Sequence, residues 1–157
     1  REAVQIAQAQ GWRDTRAAFS LYALGRLSIG TEPDVAMTAF LQSGTLYRAG
    51  PDTDLQAAHV AMQLSAFALS AGQARIALEI VDRNLAPVRQ AENAALLSTL
   101  LMVKAESLEI LGRRAEAAAV RQEALGWARY GFGSSTEVRL RLDEITALSP
   151  RARRPGL

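Results

Sequence analysis

The chain has no cysteine, one histidine (His59) and one lysine (Lys104). Without cysteine there is no disulfide, no thiolate nucleophile and no cysteine-ligated metal, and a lone histidine cannot supply the ligand cluster of a zinc or di-iron site. No glycine-rich loop has phosphate-binding spacing, and no serine sits in a nucleophile-elbow pattern. Glu106 and Glu109 stand three apart and share a helix face, but no third catalytic group accompanies them, so they read as carboxylates of a solvated helix. The expectation is a non-catalytic protein without a cofactor. Valine and isoleucine are too sparse and scattered for a sheet. The most apolar window, Ala94 to Val103, is about half of the roughly 20 residues that a membrane-spanning helix needs, and it contains Ser98 and Thr99. The formal charge of +2 is too mild to point to nucleic acid.

What is present favours helix. Hydrophobic residues make up 49% of the chain while aromatics make up only 6%, and Ala, Leu, Gln, Glu and Arg carry the composition. At 157 residues the chain suffices for one domain that buries roughly 70% of its unfolded surface. It opens at Arg1 rather than methionine, which a removed signal peptide, a domain cut from a longer chain or a disordered start would each explain; the first leads to the expectation of a bacterial periplasmic location, with the cytoplasm as the alternative.

The glycines give the organisation. "YALGRLSIG", "AFALSAG" and "SLEILG" end at Gly30, Gly72 and Gly112, which lie 42 and 40 residues apart. Glycine just past a helical run is the favoured left-handed terminator. A second helical run follows each, with Ala36, Ala77 and Ala117 near its start. "TEPD" (Thr31 to Asp34), "TDLQ" (Thr53 to Gln56) and "SSTE" (Ser134 to Glu137) have capping-box spacing. These signals predict helices over 2–10, 13–29, 33–48, 54–71, 73–85, 93–111, 114–129 and 135–147. A period near 40 with two helices per unit predicts an all-α, right-handed α-solenoid of about three antiparallel helical hairpins. It would be closed by a C-terminal amphipathic helix whose apolar side is Val138, Leu140, Leu142, Ile145 and Leu148. Residues 1–148 form one domain on this reading, and 149–157, with Arg151, Arg153 and Arg154 between prolines, form a flexible tail.

The last unit, "LLMVKAESLEILGRRAEAAAVRQEAL", resembles a tetratricopeptide repeat in its small residues Ala105, Gly112, Ala117 and Ala124 and in its larger apolar positions Leu101 and Leu108. The middle unit matches through Ser65, Gly72, Ala77 and Val81, and the first through Phe19, Tyr22, Ala23, Gly30 and Phe40. The resemblance covers roughly Arg13 to Arg129. It departs from the family in its period of about 40 instead of 34, in Arg121 where an aromatic is common, and in Pro51 and Pro87, which are expected in connections between units. It implies a peptide or partner helix bound in a concave groove lined by first helices. The groove residues would be Ser20, Leu24 and Leu27, then His59, Met62, Ala66 and Leu69, then Thr99, Met102, Glu106 and Glu109; the methionines are either an adaptable apolar floor or core sealed by the C-terminal helix. The lysine and asparagine clamp for a C-terminal carboxylate is missing at those places. The expected role is an interaction scaffold for a protein or peptide partner; the alternative is a sensory or regulatory helical domain of a larger transcriptional or signalling protein.

Overall fold

The computed structural model describes residue 6 and residues 15–131. Six helices account for this stretch: α1 (Thr15–Ser28), α2 (Pro33–Ala49), α3 (Asp54–Ser70), α4 (Ala74–Gln90), α5 (Ala94–Ile110) and α6 (Arg114–Gly131). No strand occurs among the described residues, so the chain is all-α there. None of these helices is long and apolar enough to cross a membrane. The expected helix over 2–10 lies outside the described residues apart from Ile6, which is helical and exposed. The cap at Ser134 to Glu137, the capping helix 135–147 and the arginine tail also lie outside them.

Three turns share one backbone pattern. Ahead of α4, the amide of Gly72 donates to the Leu69 carbonyl and that of Gln73 to Ala68. Ahead of α5, Glu92 donates to Arg89 and Asn93 to Val88; ahead of α6, Gly112 donates to Glu109 and Arg113 to Leu108. Each pairing closes orphan carbonyls at a helix end, and each needs a left-handed residue at its centre. Gly72 has φ 79°, Gly112 has φ 80°, and the non-glycine Glu92 adopts φ 50°. α3, α4 and α5 are all 17 residues long, so the turns recur every 20 residues along the chain.

Four expectations are corrected at the element ends. Gly30 is not in the left-handed region; α1 closes instead with the amides of Thr31 and Glu32 both donating to the Ser28 carbonyl. Thr31 does not cap α2. Pro33 occupies the first helical turn and confines the residue before it to extended backbone, so the cap falls on Glu32, at φ −137° and without a side-chain cap bond. Pro87 is not in a connection but inside α4. Its missing N–H costs one helical bond, yet the helix continues because Leu85 and Val88 are buried on its inner face. The predicted end of that helix at 85 is therefore five residues short. At Thr53 the hydroxyl is buried and donates to the Tyr47 carbonyl, with the Gly50 carbonyl 3.1 Å away, tying down the last turn of α2.

The chain divides into two compact units, Arg1–Leu64 and Ser65–Leu157. In the first, α1 packs against α2 through small residues. The buried Ser43 hydroxyl donates to the Ala18 carbonyl at 2.7 Å, and Phe40 lies directly on the backbone of Gly25, where an added Cβ would come within 2.6 Å of the ring. In the second, α5 packs against both α4 and α6. Leu78, Leu108 and Ala117 form a cluster with Val120 against it, and Gly131 approaches the backbone of Ala95 so closely that a Cβ there would clash with its nitrogen. Asn93 caps α5 by accepting the amide of Leu96 at 3.1 Å. Charged side chains run between the helices: Lys104 donates to Asp82 at 2.6 Å, and Arg89 pairs with Glu123.

Candidate functional site

In the first unit, Phe19 and Tyr22 stand three apart on α1 and thus on one face. Phe19 is a large apolar side chain left 64% exposed. Tyr22 is held from behind by Phe40, with ring centroids 5.8 Å apart and planes inclined at 53°, an edge-tilted geometry that ring quadrupoles favour. The Arg26 guanidinium reaches the Tyr22 hydroxyl at 3.5 Å. Tyr47, in the last turn of α2, is buried, and Gln56 and His59 follow from the start of α3. These five residues, Phe19, Tyr22, Tyr47, Gln56 and His59, line one pocket of about 260 Å³.

Burial acts on two of the pocket's titratable groups. Burial pushes the Tyr47 phenol above its ordinary range, with Tyr22 raising it further, so the ring keeps its proton. His59 presents part of its surface to solvent, yet the burial of the remainder lowers its pKa below the usual histidine value. Among the described residues the lining has no carboxylate, lysine or arginine, and the Arg26 guanidinium reaches it only through the Tyr22 hydroxyl. The polar groups of the described lining are two phenol hydroxyls, an amide and an imidazole.

The expected groove residues are distributed as follows. His59 joins Phe19 and Tyr22 in the aromatic pocket. Leu24 lines a different pocket, of about 280 Å³, with Leu21, Asp34, Val35, Thr38, Ala39 and Gln42. Leu27 is 83% exposed, Ser20 is half-buried, and on α3 Met62, Ala66 and Leu69 are all buried. On α5, Thr99 is buried and donates to the Ala95 carbonyl, while Met102, Glu106 and Glu109 are half-buried. Glu106 lies 3.6 Å from Arg121 and Glu109 lies 3.8 Å from Arg114, so both carboxylates are directed at arginines of α6. Any cover supplied by the segment 135–147 lies outside the described residues.

In the sequence Phe19 and Tyr22 stood out only as repeat positions and Gln56 only as the amide of a capping box, while Tyr47 carried no mark. The available signal was scarcity. In a chain with only four phenylalanines and three tyrosines, an exposed helix face carrying two of them three residues apart is unusual, and Tyr47 sits one turn from the cap that starts α3. No protein-family model matches the chain, and no curated protein or solved structure matches it either.

Proposed function

We propose that this chain is a non-catalytic interaction domain, an array of tetratricopeptide-like helical hairpins that holds a peptide segment of a partner protein. The 20-residue recurrence of one turn geometry supports the repeat reading, because recurring supersecondary units with identical connections characterise helical repeat arrays. The observation that carries the binding role is the aromatic pocket with Phe19 exposed at it. An exposed aromatic beside a concave aromatic lining is the arrangement in which interface energy concentrates, since aromatic anchors bury large areas at little cost in side-chain entropy.

The test is selection of peptides from a displayed random library on the wild-type chain, followed by binding measurements on wild type and Phe19→Ala. Phe19 is exposed enough for its truncation to leave the core untouched. Selected peptides should lose affinity by roughly tenfold or more on the variant, the loss of one interface anchor. Peptides that bind both proteins equally would remove the pocket from the interaction.

A further inference from the structure

We infer that the outer face of α1 is a docking strip for an amphipathic helix of a partner protein, one that carries acidic residues along one flank of its apolar stripe. The inference rests on the partner-binding reading of Phe19 and extends it along α1.

The bulky apolar residues of α1 point away from its helical neighbour. Its buried face is built from Ala17, Ala18, Leu21, Gly25 and Ser28, and α1 packs on α2. A Cβ at Gly25 would meet the Phe40 ring, so the two helices approach too closely to take more bulk between them. Phe19, Ala23 and Leu27 recur instead at i, i+4 and i+8, one column on a helix surface, with Phe19 64% and Leu27 83% exposed. At 1.5 Å rise per residue the column is about 12 Å long, which matches apolar residues at i and i+7 on a second helix laid beside it. The small Ala23 between two large side chains leaves a dip that a facing leucine fills, as ridges of one helix enter grooves of another.

Charge complementarity selects the flanks. Tyr22 and Arg26 run along one side of the column. Arg26 is exposed, and its guanidinium meets the neutral Tyr22 hydroxyl at 3.5 Å, so its charge is available to a helix lying on α1. Leu24 stands on the other side, in a pocket that Asp34 also lines. A carboxylate on the Arg26 side gains a charge-assisted hydrogen bond, while a carboxylate on the Asp34 side is repelled. A partner helix with acids on one flank satisfies both conditions. A second copy offering its own α1 does not: that helix has two arginines and no carboxylate in its 14 residues, so the shared seam would carry charges of one sign.

Three end-capped peptides of about five helical turns each serve as probes of the whole chain, read by fluorescence anisotropy at low ionic strength. The first has leucines along one stripe and glutamates along one flank. The second has lysines in place of the glutamates, and the third keeps the composition of the first with its leucines dispersed around the helix. The glutamate peptide should bind tighter than the lysine peptide by roughly tenfold, a gap that narrows as salt is added. Leu27→Ala and Phe19→Ala should each weaken it by roughly fivefold or more, with thermal melts unchanged, and Arg26→Glu should reverse the order of the glutamate and lysine peptides. A lysine peptide that binds as tightly as the glutamate peptide, a dispersed peptide that does so, or indifference to Leu27→Ala would overturn the inference. A wild-type chain that dimerises in sedimentation and loses the dimer in Leu27→Ala would overturn it too, with a second copy as the occupant. The displayed-peptide selection keeps the two readings apart. Selected peptides that lose affinity in Phe19→Ala but not in Leu27→Ala sink the strip and leave the partner site standing; peptides that lose affinity in neither sink both.

Discussion

At the scale of single residues, the turn before α5 is the informative one. Glu92 holds φ 50° in the place that Gly72 and Gly112 fill at φ 79° and 80°. A Cβ in the left-handed region costs roughly 1–2 kcal/mol, partly offset by the freedom that glycine gives the unfolded chain. Glu92→Gly should therefore stabilise the protein by about 0.5–1 kcal/mol, and Gly112→Ala should destabilise it by about 1 kcal/mol. Nothing lies within 4 Å of a Cβ built on Gly112, so the second effect is a backbone effect alone. Chemical-denaturation midpoints check both, and an unchanged midpoint for Glu92→Gly would show that the turn relaxes around its glutamate. The same position explains why the sequence placed a break before residue 93 without marking its left-handed residue. Gly72 and Gly112 announce their turns because glycine is the residue the dihedral favours, whereas a glutamate there carries no such mark. Gly30 misleads in the opposite sense, as a glycine after a helix whose backbone does not need one.

At the scale of elements, helix pairing depends on small residues. Ala117 is fully buried in α6 and clusters with Leu78 of α4 and Leu108 of α5. Ala117→Phe should cost roughly 1–3 kcal/mol by overpacking, read as a lower denaturation midpoint; an unchanged midpoint would mean that the three helices separate there without penalty. The existence and type of all six described helices were legible, because alanine-rich periodic segments between turn signals leave little alternative. Their ends were less so. The helix that contains Pro87 runs on past it because burial of Leu85 and Val88 outweighs one missing hydrogen bond, a tertiary effect that local rules do not contain. The pocket was legible only in part: His59 was singled out and Phe19 and Tyr22 were noted for packing, but Tyr47 and Gln56 join them through the α2 to α3 turn, which Thr53 shapes by hydrogen bonding backward to Tyr47.

At the scale of the molecule, stability should fall in two separate pH windows. His59 has its pKa lowered by burial, so the unfolded chain takes up that proton at a higher pH than the folded one. Its contribution is complete above the ordinary histidine value of about 6.5 and is lost as the pH falls from there through the folded value. Glu123, lowered chiefly by its hydrogen bond from Arg89, and Glu116, lowered chiefly by that from Arg113, act in the same sense below the ordinary carboxylate range. Denaturation midpoints should decline mildly between about pH 7.5 and 5.5 and again below about pH 4.5; His59→Gln should flatten the first decline and spare the second, and a first decline that survives this substitution would exclude His59 as its source. The repeated turn has a consequence of another kind. Three connections trace one hydrogen-bonded path through the unlike sequences AGQ, AEN and LGR, and each departure from the favoured residue costs no more than the strain of one dihedral. The chain can thus diverge from itself letter by letter while its backbone keeps step: what recurs from turn to turn is an angle, and the spelling is free to drift.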